Sequence, residues 1–240
     1  MTALTLEEEF RYCRQISLKA VDFAGQETLK DTTMLVVGLG GLGCAATQYL
    51  AAAGIGKLIL LDFDHVSLSN LQRQILHDDS RLDMLKVESA KLSLQRINPH
   101  IQIETIPTIL DDEPLKEIIK AVHVVLDCTD NLATRNQLDR CCHALRVPLV
   151  SGASIRMEGQ VSVFTYQENS PTYHNVSNLF GENALTCVEA GVLSPIVGII
   201  GSIQALEAIK VRLDIGTNLC GRLLMIDGLN MKIQELTIPY

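Results

Sequence analysis

Residues 34–43, MLVVGLGGLG, restrict the possible folds more than any other part of the sequence. Gly38, Gly40 and Gly43 have the G-x-G-x-x-G spacing, directly after a β-rich apolar run and at the start of a helical one. In such a unit the first glycine permits a tight turn, the second lets backbone approach phosphate, and the third lets the helix pack on the sheet. The helix N-terminus offers unpaired N–H groups to an anion, and Gly41 adds backbone access. The spacing predicts a nucleotide site rather than a junction that needs glycine for packing alone.

Asp62 supports this interpretation, because it ends the next β-rich run. Its distance from Gly38 is close to the roughly 20 residues expected for an acid that binds ribose hydroxyls. NAD-dependent dehydrogenases share these features, so the motif alone favours NAD over ATP. Residues further along the chain reverse that order.

The surrounding pattern is a regular alternation of short β-rich runs and longer helical runs, which is typical of a parallel sheet covered by helices on both faces. It predicts an α/β fold with a doubly wound, Rossmann-like, mostly parallel sheet. Strands are expected at 34–37, 58–61, 101–105, 122–127 and 149–151, and helices at 42–53, 85–97, 113–120 and 131–145.

Residues on either side of this alternation complete a single predicted domain, 1–240, which we divide into N-terminal helices (1–30), a nucleotide-binding core (31–151) and a crossover loop with the C-terminal part (152–240). In the first part a helix is expected within 6–20. In the last we expect antiparallel strands at 160–166, 222–226 and 232–238, a long mobile loop at 167–183 and a helix at 195–213.

Composition excludes several classes of protein. A net charge of −8 gives no general reason to bind nucleic acid. The N-terminus lacks the basic-then-apolar order of a secretory signal, and the apolar stretch 192–205 falls short of the roughly 20 residues that span a bilayer. We expect a cytoplasmic protein without membrane segments, in which 192–205 is a buried helix. Seven cysteines without a C-x-x-C pair indicate neither a disulfide framework nor a zinc site, and most should be buried.

A group of polar and cationic residues follows Asp62. Asn70, Arg73 and Gln74 lie in the next loop, and Lys86 opens the following helix. Each cation alone is more typical of a solvated surface. Phosphoryl or nucleotidyl transfer, however, must neutralise charge on phosphate oxygens, whereas hydride transfer leaves such cations without a role. The group therefore favours reaction at phosphorus over a dehydrogenase.

Asp130 and Asn131 come just after the fourth predicted strand, at the edge of the sheet where open α/β folds bind ligands. Asp130 is the candidate magnesium ligand. The alternative is that Asp130 or Asn131 merely caps the helix that follows. The residues alone leave both interpretations open.

Several segments together resemble the bacterial molybdopterin-synthase adenylyltransferases of the HesA/MoeB/ThiF family, in the ubiquitin-activating-enzyme superfamily. The similarity runs from about residue 6 to about 226 and includes RYCRQI, GLGGLG, DFDxVxxSNLQRQ, KVESA, DCTDN, SGASIRMEGQ and GENALTCVEAGV. It implies ATP and Mg²⁺ as ligands, a homodimer, and a ubiquitin-like sulfur-carrier protein ending in Gly-Gly as substrate. The implied reaction joins the carrier's terminal carboxylate to AMP and releases pyrophosphate.

The resemblance also implies roles for individual residues. Asp62 would bind ribose and Asp130 would position magnesium. Arg14 would reach the active site of the partner subunit, and Cys187 matches a cysteine that forms covalent adducts in some relatives, although packing is an equal alternative. The remaining nucleotide-contacting candidates are Gly38, Gly40, Gly41, Gly43, Ser69, Asn70, Arg73, Lys86 and Asn131, of which Arg73 and Lys86 are also catalytic candidates.

The chain departs from the family in one respect. Relatives usually carry a structural zinc on two C-x-x-C pairs, but here Thr172 and Asn175 stand at the first pair and the C-terminus has none. We therefore expect no zinc and less order over 172–185. Three alternatives to carrier activation remain open: another carboxylate, a modified tRNA adenosine, or a scaffold without turnover.

Overall fold

The computed structural model of the chain describes residues 2–168, 170–180 and 190–239. Short 3-10 turns lie at Leu68–Asn70 and Asp79–Arg81. The helices and strands, in chain order, are α1 (Leu6–Ile16), α2 (Asp22–Lys30), β1 (Thr33–Val37), α3 (Gly41–Ala53), β2 (Lys57–Leu61), α4 (Lys86–Ile97), β3 (Gln102–Ile106), α5 (Asp112–Ile119), β4 (Val124–Asp127), α6 (Leu132–Leu145), β5 (Leu149–Ile155), β6 (Glu158–Phe164), α7 (Tyr173–Phe180), α8 (Ser194–Leu213), β7 (Arg222–Asp227) and β8 (Lys232–Thr237).

The strands form one sheet in the order β3-β2-β1-β4-β5-β6-β7-β8. Strands β1 to β5 pair in parallel, and β6, β7 and β8 continue the sheet antiparallel. The predicted doubly wound sheet with antiparallel C-terminal strands is confirmed. Its order reverses between β1 and β4, which opens a crevice at their carboxyl ends.

Alternating side chains of the central strands pack into two cores, one on each face of the sheet. Met34 and Val36 of β1 belong to the core that contains α3, α4 and α8. Leu35 and Val37 belong to the core that contains α5 and α6. Because both faces are covered, the strands are apolar throughout rather than alternating with polar residues.

Helices α1 and α2 lie at the amino ends of the strands, opposite that crevice. The Tyr12 hydroxyl accepts a 2.7 Å hydrogen bond from Asn98, and the Gln15 amide donates to the Ala53 carbonyl at 3.0 Å. Asn98 precedes β3 and Ala53 precedes β2. The first helix ends at Ile16, earlier than predicted, because the Ser17 hydroxyl and N–H both donate to the Cys13 carbonyl.

The prediction of a loop over 167–183 is wrong where α7 forms. Thr172 precedes this helix, and its N–H donates to the Asn175 side chain at 2.9 Å. Tyr173 and Val176 are buried, and the Asp139 carboxylate on α6 accepts the Tyr173 N–H at 2.9 Å. A helical cap and a buried face therefore outweigh the polar, turn-rich sequence. Residues 181–185, where less order was expected, lie outside the described residues.

Helix α8 contains most of the apolar stretch that we predicted to be buried, but only one of its faces is covered. Ile196 and Ile200 are buried, whereas Ile199 is 40% exposed. Among the described cysteines, Cys44, Cys128, Cys141 and Cys142 are buried, as expected. None of the described helices is long and apolar enough to cross a membrane.

Candidate nucleotide-binding site

The glycine turn, residues 38–43, follows β1 at the switch point of the sheet. Gly38 has a φ of 89°, and a Cβ there would lie 2.8 Å from the Cys128 carbonyl oxygen. A Cβ at Gly43 would lie 1.9 Å from the Gly38 carbonyl oxygen. The turn after β1 thus contacts the turn after β4, and the contact leaves no room for a side chain.

Gly40 and Gly41, at the start of α3, differ in their surroundings. Gly40 caps the helix without any side-chain hydrogen bond, and the nearest atom to a Cβ there would be the Gln74 amide nitrogen at 3.7 Å. A Cβ at Gly41 would meet Val197 of α8 at 2.8 Å. Gly40 therefore leaves the helix N-terminus open to an anion, while Gly41 is also required for packing against α8.

Asp62 lies directly after β2 and is buried against the glycine turn. Its carboxylate accepts the Leu39 N–H at 2.6 Å and the Asp64 N–H at 2.8 Å. Burial raises the pKa of Asp62, and the nearby Lys86 charge opposes that rise. Each carboxylate oxygen has a second lone pair, so the group can still accept a ribose hydroxyl.

The segment after Asp62, residues 66–86, carries the predicted phosphate-contacting residues. A 3-10 turn sets its direction: the Asn70 carbonyl accepts the N–H groups of Arg73 and Gln74, at 3.1 Å and 3.0 Å. The Arg73 guanidinium donates to the Ser69 carbonyl at 3.1 Å. Ser69 is exposed, and Asn70 and Arg73 are partly exposed. Their polar groups are therefore accessible beside the glycine turn.

Lys86 begins α4, and its side chain is only 7% exposed. Its ammonium lies 2.8 Å from the carboxylate of Asp64, which is itself about half exposed. The Lys86 N–H also donates to the Asp64 carbonyl at 2.9 Å. The sequence analysis did not identify Asp64. The D-x-D spacing of Asp62 and Asp64 was the available signal, since residues two apart in extended chain point the same way.

The turn after β4 separates the roles of two adjacent residues. Asn131 caps α6, since its side-chain oxygen accepts the Thr134 N–H at 2.9 Å. Asp130 is exposed, and its carboxylate has no hydrogen bond or ion pair within the described ranges. Before them, the buried Asp127 fixes the turn by accepting hydrogen bonds from Thr129 and Ser151, at 2.7 Å and 2.8 Å. The capping role therefore belongs to Asn131, and Asp130 remains available to a ligand.

A magnesium ion fits this arrangement better than a metal bound by protein ligands alone. The described part of the chain contains no group of three or more His, Cys, Asp or Glu side chains that could hold a metal. Mg²⁺ usually keeps several waters and binds through one or two carboxylates together with substrate phosphates. A single free carboxylate at Asp130, across the crevice from a phosphate-binding turn, suits that habit.

Gln204 of α8 fixes the carboxyl ends of β4 and β5, and sequence reasoning missed it. Its buried amide donates to the Asp127 carbonyl at 2.7 Å and to the Val150 carbonyl at 3.3 Å. No sequence signal identifies this role, because it depends on a contact between elements that are distant in the chain.

Two predicted site residues do not join this group. Arg14 is exposed on α1, at the amino edge of the sheet. The glycine turn, Asp62 and Asp130 all lie at the carboxyl edge, so Arg14 does not reach the crevice of its own chain. Cys187 lies outside the described residues.

Comparison with known proteins places this geometry in a family. The model of the ThiF family matches residues 12–240. A molybdopterin-synthase adenylyltransferase from Haemophilus influenzae is 70% identical over 239 residues, which cover 100% of this chain and 98% of the relative. The Escherichia coli K12 protein of the same name is 57% identical over 238 residues, covering 99% of this chain and 96% of the relative.

Solved structures agree on the fold. The crystal structure of selenomethionine-labelled PaaA superimposes with a TM-score of 0.85 and 24% sequence identity, covering 99% of this chain and 76% of that chain. At that identity the likeness shows the architecture alone. Because the family match spans nearly the whole chain and the two relatives match at full length, the chain belongs to the ThiF family.

Proposed function

We propose that this chain catalyses ATP-dependent adenylylation of the C-terminal glycine carboxylate of a ubiquitin-like sulfur-carrier protein. The names of its full-length relatives support adenylyl transfer in molybdopterin synthesis. They favour a carrier carboxylate over another carboxylate, a tRNA adenosine or a scaffold role. The buried free thiols of Cys44, Cys128, Cys141 and Cys142 support a reducing, cytoplasmic setting.

One observation carries the proposal: a continuous path of contacts joins the three predicted parts of the site. Gly38 abuts Cys128 at the turn after β4, and the adjacent Leu39 N–H is bound by Asp62. Asp62 in turn accepts from Asp64, which pairs with Lys86. Phosphate-binding backbone, ribose acid and buried cation therefore occupy one crevice, at the switch point where such sheets bind ligands.

In this proposal ATP lies with its ribose at Asp62 and its phosphates over the N-terminus of α3. Ser69, Asn70, Arg73 and Lys86 approach the phosphates from the segment beyond β2, and Asn131 borders the site beside Asp130. Asp130 would hold Mg²⁺, which supplies charge neutralisation on the phosphate oxygens when bound. Lys86 exchanges its partner Asp64 for phosphate, or shares the two, when the nucleotide enters.

The chemistry is a displacement at the α-phosphorus. An oxygen of the carrier's terminal carboxylate forms a bond to that phosphorus, the bond to the bridging oxygen of the β-phosphate breaks, and pyrophosphate leaves with the electron pair. No proton must be removed, since the carboxylate is already ionised at neutral pH. The protein's contribution is positioning and stabilisation of the charge that spreads over the phosphate oxygens, for which Arg73 and Lys86 are suited.

We further propose that two copies of the chain form the working enzyme. An open groove of about 470 Å³ lies between α3 and α8, and none of its lining residues is charged. It includes the exposed Tyr49, Ile75 and Ile199. Ile75 lies two residues after Arg73, so a second copy in this groove adjoins the phosphate-contacting segment. That arrangement gives Arg14, which is remote from its own crevice, a route to the partner's.

The activity is tested by ATP–pyrophosphate exchange with carriers ending in Gly-Gly. The wild-type protein should exchange only with its carrier, and Asp130→Ala and Arg73→Ala should abolish exchange. Arg140→Ala is the matched control, because Arg140 is an exposed cation paired with Asp112 on the far side of α6. Wild-type protein that binds ATP but exchanges with no carrier would overturn the proposal.

The role of Arg14 is tested by mixing two inactive proteins, Arg14→Ala and Asp130→Ala. If Arg14 acts across the interface, each mixed dimer contains one intact site and activity returns. If Arg14 acts within its own chain, both sites stay defective. The groove is tested by Ile199→Glu, which should give a monomer by light scattering, whereas a wild-type monomer would overturn the dimer.

A further inference from the structure

The peptide group of Leu39, in the middle of the glycine turn, is bound from both sides. Leu39 is fully buried, and its N–H donates to Asp62 at 2.6 Å. Its carbonyl oxygen lies 3.2 Å from Nε2 of His77 and 3.4 Å from the Cys44 Sγ, which donates to it. Asp62 was expected here, but nothing in the sequence analysis pointed to His77.

The hydrogen bonds of His77 define its tautomer. A carbonyl oxygen can only accept, so Nε2 carries the proton. Nδ1 then accepts from the Ser89 hydroxyl, 2.9 Å away. Burial lowers the pKa of His77, and the neighbouring Lys86 and Arg81 charges lower it further, although the bond to Leu39 acts in the opposite direction. The neutral ring that these bonds require is therefore the form that the site favours.

His77 also belongs to the segment that carries the phosphate-contacting residues. It lies between Arg73 and Lys86, and its position is fixed by Arg81, which donates to the Ser89 carbonyl at 2.7 Å and to the Ser93 hydroxyl at 2.6 Å. The imidazole thereby joins two parts of the site that are separate in sequence, the glycine turn and the segment 66–86.

The consequence follows from peptide geometry. In a planar trans peptide the carbonyl of one residue and the N–H of the next point in opposite directions. Because His77 holds the Leu39 carbonyl toward the interior, the Gly40 N–H must point outward, to the open side of the turn. That N–H has no acceptor within the described residues. The flanking Gly38 and Gly40 impose little steric barrier to a flipped peptide, so the hydrogen bond is what selects this orientation.

Resting on the proposed function, we infer that His77 is a positioning residue for ATP: it orients the Leu39–Gly40 peptide so that the Gly40 N–H meets the nucleotide phosphates. His77 touches neither the nucleotide nor the carrier. Its effect is therefore on ATP affinity and on the KM for ATP, and the KM for the carrier does not change.

Three variants measured by calorimetric ATP titration test the inference. His77→Leu removes the donor at similar volume, and should weaken ATP binding about fivefold to tenfold, the worth of one hydrogen bond. His77→Gln can restore a donor near the Nε2 position and should recover most of that loss. Ser89→Ala removes only the hydroxyl that fixes the tautomer, should weaken binding about threefold, and serves if His77→Leu does not fold.

Ser93→Ala is the matched stability control. Its hydroxyl binds Arg81 and the Leu76 carbonyl in the same segment, but does not contact Leu39. It should lower the melting temperature and leave ATP affinity unchanged. If the His77 variants lose stability in the same way and retain wild-type ATP affinity, His77 is merely structural and the inference is overturned. A wild-type protein that binds no ATP would instead overturn the proposed function, and the inference with it.

Discussion

The parallel and antiparallel halves of the sheet differ in how much change they can accept. In the parallel half, β4 is buried along its whole length and the glycine turn has contacts in which no side chain fits. In the antiparallel half, β8 is exposed at every position, and Ile233 is 66% exposed. The reaction needs atoms fixed to fractions of an ångström, which only the first half provides. The second half has a surface that can vary without disturbing the crevice.

The sharpest test of this contrast is Gly43→Ala. Its new Cβ would lie 1.9 Å from the Gly38 carbonyl, so the turn or α3 must move. We expect a loss of about 3 kcal/mol or more in the free energy of unfolding, at the upper end of overpacking effects, together with loss of ATP binding. Urea denaturation and ATP titration measure the two.

The comparison substitution in the antiparallel half is Ile233→Ala on β8. Because its side chain is mostly in water, the free energy of unfolding should change by less than about 0.5 kcal/mol. If the two substitutions cost similar amounts, the contrast between the halves fails.

Gln204→Leu tests the boundary between the halves. The substitution leaves the Asp127 and Val150 carbonyls without this donor in a buried site. We expect a loss of about 1–3 kcal/mol, measured by urea denaturation. Gln102→Leu, on the exposed position of edge strand β3, provides the control and should have little effect. Equal costs would mean that the Gln204 bonds contribute nothing beyond burial.

A smaller effect is expected at the start of α7, on the antiparallel side. Thr172 donates from its N–H and its hydroxyl to the Asn175 side chain, at 2.9 Å and 3.0 Å. Thr172→Ala and Asn175→Ala should each cost about 1 kcal/mol, as other helix caps do. Because they break one shared interaction, the double variant should cost clearly less than the sum. Strict additivity in denaturation experiments would show that the two residues act independently.

The smallest effect concerns α1, which polar contacts attach to the amino edge. Burial alone would raise the pKa of Glu8, but hydrogen bonds from Lys30 and Thr5 lower it below its ordinary value of 4.5. A lowered folded-state pKa stabilises the protein above the unfolded value, and this contribution disappears as the pH falls through the folded value. Lys30→Met should therefore cost about 1 kcal/mol or less at pH 7, and less still below pH 4.5.

Thermal denaturation across this pH range measures the effect of Lys30→Met. The exposed Lys19 provides the control, because Lys19→Met should show no comparable trend. A cost for Lys30→Met that stays constant down to pH 3 would contradict the assigned role of Glu8.

Sequence reasoning succeeded where the physical cause is local. The G-x-G-x-x-G turn, its strand and its helix are specified by neighbouring residues, and the parallel strands lie within two residues of their predicted positions. It failed at α7, because the polar sequence there says nothing of Asp139, which binds the helix start from α6.

The site was predictable in its residue types and not in their arrangement. Whether Asp130 or Asn131 caps α6 was undecided by sequence, since both residue types cap helices well and only geometry distinguishes them. The Lys86–Asp64 pair and the His77–Leu39 bond depend on how the segment 66–86 folds back, which no periodic pattern encodes.

The exposed strand β8 also has a consequence for the behaviour of the protein at high concentration. It ends the sheet, so one row of its backbone N–H and C=O groups faces away from any strand in the described part of the chain. Such an edge can pair with the edge of another molecule and begin aggregation. The apolar Ile233 and Leu236 add to that tendency, whereas the charged Lys232 and Glu235 oppose it. Solubility should therefore depend on these two charges more than on the acidic net charge of the whole chain.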